Sequence, residues 1–366
     1  MRLTQLRLHD FRSYSQVTIM PPDGVTVFVG ENGAGKTNLL EAVHLCCLGK
    51  SHRTPFDRDM IRLNCKTSAV HAKVQRHLTR DEVGVRLYAQ QSMRKTIFVN
   101  GKTVPRIGEL MGHMTCVMFS PEDMAIIKGA PQVRRGFLDM LLSQCQPAYF
   151  YAIQTYHAAL KQRNALLKTL AKAQGNPRQL EVWDEQLAKA AAPIVRMRQE
   201  AALILSDLSK AHYTFISGRE PEVFVLRYQS SLSGPQDPGD MLMDQLAASR
   251  EDDIRRLTTS VGPHRDDLRL MLSGQEMRGF ASQGQMRTAV LAMRLAEINI
   301  LTQAHRDAPL LLLDDVLSEL DEGRRARLMG RLGSMQTLLT TTDLETLGGI
   351  KPDCVLQVRD GTVFSP

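Results

Sequence analysis

The chain has no C-x-x-C pair and no Cys/His spacing of the kind that zinc requires. Its six cysteines, Cys46, Cys47, Cys65, Cys116, Cys145 and Cys354, therefore read as reduced core thiols. Long apolar runs are missing as well. The opening MRLTQLRLHDFRSY breaks its apolar residues with Arg, His and Asp, which excludes the apolar stretch of a signal peptide, and no later run approaches membrane-spanning length. A soluble, cytoplasmic protein is expected. Internal repeats and low-complexity tracts are absent, and nothing in the composition argues for disorder. A large charge excess is lacking too: 46 Lys and Arg stand against 39 Asp and Glu, a formal charge of +7 with a pI near 9.1. Such a balance permits an anionic partner and does not establish one.

With 366 residues, 43% of them hydrophobic, the chain can build two or three substructures around one large core. Its first hundred or so residues read as strands: Leu3, Leu6 and Leu8, then Val17 to Ile19, then the β run Val25–Val29, with further β-rich stretches at 69–74, 83–88 and 96–99. Asn100-Gly101 has the chemistry of a tight hairpin turn. Ser120-Pro121-Glu122-Asp123 carries helix-start signals, and the pattern then turns helical. Two apolar stripes at three-and-four spacing, Tyr149 to Leu170 and Leu180 to Leu208, flank the breaker Gly175-Asn176-Pro177 and predict a helical hairpin with a kink at Pro193. This pattern fits either a packed helical subdomain or a protruding arm. Residues 230–240 read as a polar loop rich in Gly and Pro, with β-like or mixed sequence returning near Leu257. The expected division is 1–120, a β-rich lobe; 121–256, an inserted helical domain; and 257–366, a return to the first domain.

Chemistry concentrates at two places. Gly30-Glu31-Asn32-Gly33-Ala34-Gly35-Lys36-Thr37 fits G-x-x-x-x-G-K-[ST] between a strand ending at Val29 and a helical pattern over 38–48, the context a phosphate-binding loop requires. Glycines let the backbone close around phosphate oxygens, amides at the helix start donate to them, Lys36 supplies charge and Thr37 can ligate Mg2+. Far downstream, Pro309 to Leu313 is an apolar run that ends in Asp314 and Asp315. It reads as a buried parallel strand with an acid at its C-terminal end, Asp314 as Mg2+ partner and Asp315 where a carboxylate aligns the attacking water. About 275 residues separate the two motifs, so a large insertion is required. Ser282-Gln283-Gly284-Gln285, one helical segment before the second motif, resembles the signature of ABC ATPases, and Ser318 to Asp321 resembles their D-loop. The fold class expected is α/β: an ABC-type P-loop ATPase head with a β-rich N-terminal lobe and an inserted helical subdomain.

Beyond these motifs, Leu6 to Tyr14 (LRLHDFRSY), Ser120 to Asp139 (SPEDMAIIKGAPQVRRGFLD) and Gly262 to Leu268 (GPHRDDL) make the chain similar to the RecF family of recombinational repair proteins over essentially its whole length. The resemblance implies ATP-dependent dimerisation on DNA, with Ser282 of one head completing the nucleotide site of the other. It further implies a preference for duplex beside a single-stranded gap, and cooperation with RecR-like and RecA-like proteins. Departures from the ABC pattern are the absence of a Q-loop glutamine at 120–123, Asp315 in place of the usual glutamate and no histidine in Thr340-Thr341-Thr342. They imply slow, weak ATP hydrolysis. Arg134, Arg135, His264 and Arg265 are open to a role with nucleotide, DNA or partner, or to structural salt bridges. The alternative reading is an ABC-type transport ATPase subunit, against which the missing glutamine and histidine and the helical insertion stand.

Overall fold

The computed structural model describes residues 1–90, 95–172, 174–218, 223–333, 335–348 and 350–364. The chain divides into two compact units. Unit 1 comprises Met1–Asp123, Thr214–Arg219 and Leu291–Pro366, and unit 2 comprises Met124–Tyr213 and Glu220–Val290.

In chain order, unit 1 opens with β1 (Arg2–Phe11), β2 (Tyr14–Ile19) and β3 (Val25–Val29), and continues through α1 (Lys36–Leu48) into β4 (Thr67–Gln75) and β5 (Arg80–Tyr88). Next come β6 (Thr96–Val99), β7 (Lys102–Val104) and β8 (Cys116–Phe119). Unit 2 then holds α2 (Ala125–Lys128), α3 (Pro131–Cys145), α4 (Pro147–Leu170), most of α5 (Leu180–Ser217), β9 (Phe224–Gln229) and α6 (Pro238–Arg256). It also holds β10 (Asp267–Leu272), β11 (Gln275–Glu276), α7 (Met277–Phe280) and the start of α8 (Gln283–His305). The chain finishes in unit 1 with β12 (Leu310–Asp314), α9 (Glu322–Leu332), β13 (Thr337–Thr341), β14 (Cys354–Arg359) and β15 (Thr362–Phe364).

Unit 1 is built on two six-stranded sheets. One is antiparallel in the order β2-β1-β4-β5-β6-β7, and the other runs β15-β14-β3-β13-β12-β8, parallel except at the β14–β15 hairpin. The antiparallel strands alternate a buried and a solvent residue, as β4 (Thr67–Gln75) does along its length, because one face packs and the other is wet. In the parallel sheet β8, β12 and β13 are buried at every position, so none alternates; β8 and residues 310–313 of β12 are wholly apolar, and β13 buries Thr337, Thr340 and Thr341 beside Leu338 and Leu339. Helix α1 contacts β1, β4 and β5 of the first sheet and β8, β12 and β13 of the second. That placement explains why it is apolar nearly all round, including Cys46 and Cys47. Cys46, Cys47 and Cys116 are buried thiols as expected, whereas Cys65, Cys145 and Cys354 are only half-buried, and the six form no disulfide among the described residues. The Asn100-Gly101 turn forms as its chemistry predicts, both residues at positive φ and Val99 paired with Lys102.

Unit 2 resolves the choice between arm and packed subdomain. Tyr149, Ile153, Tyr156 and Ala159 of α4 pack with Leu187, Ala191, Ile194 and Val195 of α5, and with Leu142 of α3 and Leu242 and Leu246 of α6, in one core. The helices form a packed subdomain, and α5 runs unbroken through Pro193. Helix α6, capped by Asp237 with Pro238 in its first turn, begins within the segment read as a polar loop, 230–240, and continues to Arg256, the end of the span expected to be helical. Residues 257–290 cluster with unit 2 rather than with the C-terminal part of unit 1, because β10 is zipped antiparallel to β9 from Asp267↔Gln229 to Leu272↔Phe224 and Asp267 takes a bidentate bond from Arg134 at 2.7 and 2.9 Å.

A buried ion cluster braces this unit. Arg163, fully buried, donates to Asp184 on α5 and to Asp253 on α6, both at 2.7 Å, and to Thr259 at 3.0 Å. Removing one partner of a buried ion pair leaves an uncompensated charge, here two carboxylates. Arg163→Met is therefore expected to cost about 3–5 kcal/mol, read as a lower urea midpoint. A change below about 1 kcal/mol would show the cluster to be energetically idle.

Candidate functional site

The C-terminal ends of β3, β12, β13 and β8 lie along one edge of the parallel sheet, where open α/β sheets place their ligands. The loop from Gly30 to Gly35 leaves β3 there and turns into α1. Two of its glycines are required for different reasons. A Cβ on Gly30 would lie 2.2 Å from the carbonyl oxygen of Val358 on β14. Gly35 sits at φ +113°, and a Cβ there would lie 2.7 Å from Ser13 Oγ. Tyr14 Oη donates to the Gly35 carbonyl at 3.0 Å, and burial pushes the Tyr14 phenol above its usual range, so it stays a donor. From the other side, the β14–β15 turn donates Gly361 N–H to the Ala34 carbonyl at 3.2 Å. The loop is thus clamped between two hairpin turns, of which the sequence reading identified neither as part of the site. Both arrive through pairings between distant parts of the chain.

Glu31, Asn32 and Gly33 are exposed at the tip of the loop, and Lys36 is buried beneath it. Lys36 Nζ donates to the carbonyls of Gly30 at 2.7 Å and Glu31 at 2.8 Å. Desolvation lowers the Lys36 pKa, and the nearby Asp315 and Asp314 oppose that shift. The first turn of α1 carries no acid, so its positive end is left for an anion.

Asp314 ends β12, buried, and register sets it beside Thr340 on β13. Its Oδ1 accepts from Thr37 Oγ1 at 2.8 Å and from Thr340 Oγ1 at 2.7 Å. Thr340 in turn accepts from the Asp315 N–H at 3.0 Å. Asp315 sits at φ +51°, and its Oδ1 is buried with no hydrogen-bond partner among the described residues. A carboxylate held off its neighbours in this way is placed to accept a proton from something that enters the site. The donor set at Thr37 and Asp314, one hydroxyl and one carboxylate, is made of the hard oxygens that suit Mg2+ completed by phosphates and water. The motif residues Gly30 to Thr37, Asp314 and Asp315 therefore come together in unit 1. Thr340 is an addition; the Thr340-Thr341-Thr342 run was its signal.

The segment at 120–123, where a Q-loop glutamine would stand, is structural. Asp123 accepts from the Ser120 N–H and takes a bidentate bond from Arg294 at 2.6 and 3.1 Å, and Arg294 also holds Glu297 at 2.7 Å. Ser282 to Gln285 belong to unit 2, at the start of α8. Ser282 N–H donates to Gln285 Oε1 at 2.7 Å and Gln285 N–H donates to Ser282 Oγ at 3.2 Å, a reciprocal capping box. Arg134 is the salt bridge with Asp267 described above. Arg135 donates to the Asp266 carbonyl, Arg265 to the Thr259 carbonyl, and His264 bonds Tyr156 and Thr259.

Behind the loop, Arg12 clamps the fully buried Glu41 of α1 through Nε at 2.8 Å and Nη2 at 2.6 Å. Burial works against the Glu41 charge, but the bonds from Arg12 and Ser51 prevail and hold the carboxyl below its usual range. A depressed folded pKa contributes stability above the unfolded value, about 4.3, and loses it as pH falls through the folded one. Arg12→Ala is thus expected to destabilise by about 3–5 kcal/mol at neutral pH, the deficit shrinking as acid protonates Glu41. Urea melts at several pH values check this, and a deficit that does not vary with pH would rule out the charge argument.

The comparisons with known proteins agree with this geometry. The family profile described as "RecF/RecN/SMC N terminal domain" matches residues 2–353. A "DNA replication and repair protein RecF" of Ruminiclostridium cellulolyticum is 37% identical over 359 residues, covering 96% of this chain and 95% of that protein. The solved structure described as "recombination mediator protein RecF-ATP in RecFOR pathway" superposes with a TM-score of 0.92 at 31% identity, covering 100% of this chain and 97% of the other. An Smc head bound to the C-winged helix domain of ScpA shares the fold alone, with a TM-score of 0.55 and 16% identity over 100% of this chain and 98% of the other. The fold is that of an ABC-type ATPase head, and the repair reading is favoured over the transport alternative. The chain belongs to the RecF family of DNA replication and repair proteins.

Proposed function

We propose that this protein binds ATP with Mg2+, dimerises on gapped DNA and assists the loading of a RecA-like recombinase, hydrolysing ATP weakly to release itself. The observation that carries the reading is the network joining Thr37, Asp314, Thr340 and Asp315 beneath a clamped phosphate loop, in a chain 31% identical to a RecF solved with ATP. In this reading the amides of residues 30–37 and the Lys36 ammonium hold the phosphates, and Thr37 and Asp314 hold Mg2+. Mg2+ supplies charge neutralisation between the phosphates when bound. Asp315, with its unpartnered Oδ1, orients the attacking water. Aspartate reaches less far than the usual glutamate, which fits slow turnover serving as a release clock.

Ser282 is exposed at the N-terminus of α8, a 23-residue helix, where backbone amides favour an anion. We assign to it, with Gln283, Gly284 and Gln285, the γ-phosphate held by a second copy of the chain. RecR-like and RecA-like proteins are the proposed partners, and the cytoplasm the proposed site of action. Among the described residues no helix is long and apolar enough to cross a membrane.

Labelled gapped duplex titrated at one fixed salt concentration, with Mg2+ and either ATP or ADP, should show tight binding with ATP and weak binding with ADP. Equal affinities would remove the gating. Ser282→Arg should keep ATP binding and lose ATP-induced dimers in sedimentation, whereas dimers that persist would defeat the shared site.

A further inference from the structure

We propose that the solvent face of the antiparallel sheet in unit 1 is a stacking platform for single-stranded DNA. The proposal rests on the DNA-binding reading above and adds a surface to it. Strand alternation puts Arg7 and His9 of β1, His71 and Lys73 of β4, Arg80, Glu82 and Arg86 of β5 and Phe98 of β6 on one face, the opposite residues being buried. Four of these are permanent cations, and Glu82 is the one acid among them, beside Lys73 in register. A polyanion is the complementary occupant.

The centre of the face is built for something flat. Arg7, His71, Gly84 and Phe98 stand opposite one another across β1, β4, β5 and β6. Gly84 leaves room for the His71 ring to lie over the backbone: a Cβ there would be 2.6 Å from His71 Nδ1. The His71 and Phe98 rings are 6.4 Å apart with 32° between their planes, and Arg86 lies over the Phe98 ring at 5.7 Å. Burial, aided by Arg86 and Arg7 and opposed by Glu82, pushes His71 below its usual range, so the ring faces solvent as a neutral π surface. Next to it a recess of about 390 Å³ is lined by His9, Thr67, Arg86 and Tyr88.

Cations alone would serve duplex and single strand equally. Two rings of similar tilt between arginines offer stacking, which only unpaired bases can use, and sheet faces elsewhere stack two or three bases in this manner. Single-stranded DNA is therefore the occupant the surface fits.

The test is anisotropy of labelled oligothymidylate and of a blunt duplex, at fixed salt with ATP and Mg2+, using the full chain. His71→Ala and the pair Arg7→Ala with Arg86→Ala should each weaken single-strand binding about tenfold or more. His71→Phe should keep it, and His71→Ala should leave duplex binding and ATP-analogue affinity unchanged. Unaltered single-strand binding in these variants, or equal losses on duplex in His71→Ala, would overturn the platform. Failure of the wild-type chain to bind any DNA would instead overturn the DNA-binding reading on which it rests.

Discussion

The site depends on a buried carboxylate with neutral partners. Asp314 lies at the end of a strand buried at every position, where an isolated ion would cost several kcal/mol, and two threonine hydroxyls hold it. Each comes from a different part of the chain, Thr37 from the first turn of α1 and Thr340 from β13, the strand lying between β3 and β12. A slip of one residue in the β12–β13 register would turn Thr340 away and leave the acid with Thr37 alone. The parallel sheet and the chemistry are thus one constraint. Hydroxyls suit this task because they can turn from donating to a carboxylate to offering a lone pair to a cation, which a guanidinium cannot do.

The residues that surround this carboxylate differ in how well the sequence announces them. Gly30 to Thr37 and Asp314-Asp315 are legible because phosphate binding needs those residue types in a fixed local order. Tyr14, Gly361 and the Arg12–Glu41 pair are not, because nothing local marks Gly361 N–H as the donor to Ala34 or Arg12 as the counter-ion of Glu41. Secondary structure follows the same division. The stripes of α4 and α5 are visible as periodicity, whereas the start of α6 is hidden by its composition: Leu242 and Leu246 are its only fully buried large apolar residues, and it opens in a stretch rich in Gly, Pro and Asp. The boundary near 257 misplaced the return of the chain for a similar reason, since the β9–β10 pairing that binds 267–272 to unit 2 is not written in either strand alone.

The segment Gly262 to Leu268 shows how a family-like motif can be structural. Arg198 donates to the Pro263 carbonyl and to Asp139, His264 bonds Tyr156, Asp266 takes the Tyr228 hydroxyl and Asp267 takes Arg134. One short stretch therefore ties α3, α4, α5 and β9 together. Burial pushes the Asp266 carboxyl up against the pull of Tyr228, Ser230 and the arginines, and lowers His264 to about 4, while the ion pairs Arg134–Asp267 and Arg198–Asp139 hold the hub from either side. Gly262, at φ +115° with Tyr156 Oη 2.5 Å from where a Cβ would stand, permits the tight approach.

The Ser282 segment has two physical explanations that coincide. S-x-x-Q is a capping box, and Ser282 and Gln285 satisfy each other's amides as such a box does. In the dimer proposed above, the same four residues meet a phosphate held by the second copy. A cap alone would be equally content buried against the rest of its own unit, yet Ser282 is exposed at the tip of its helix. A helix whose first turn is ordered by its own side chains and still open to solvent presents a preorganised set of donors at the positive end of its dipole. In the dimer proposed above, the cap is a precondition of the contact and no rival to it: it fixes the serine and the amides beforehand, so that less ordering would be left to be done on binding.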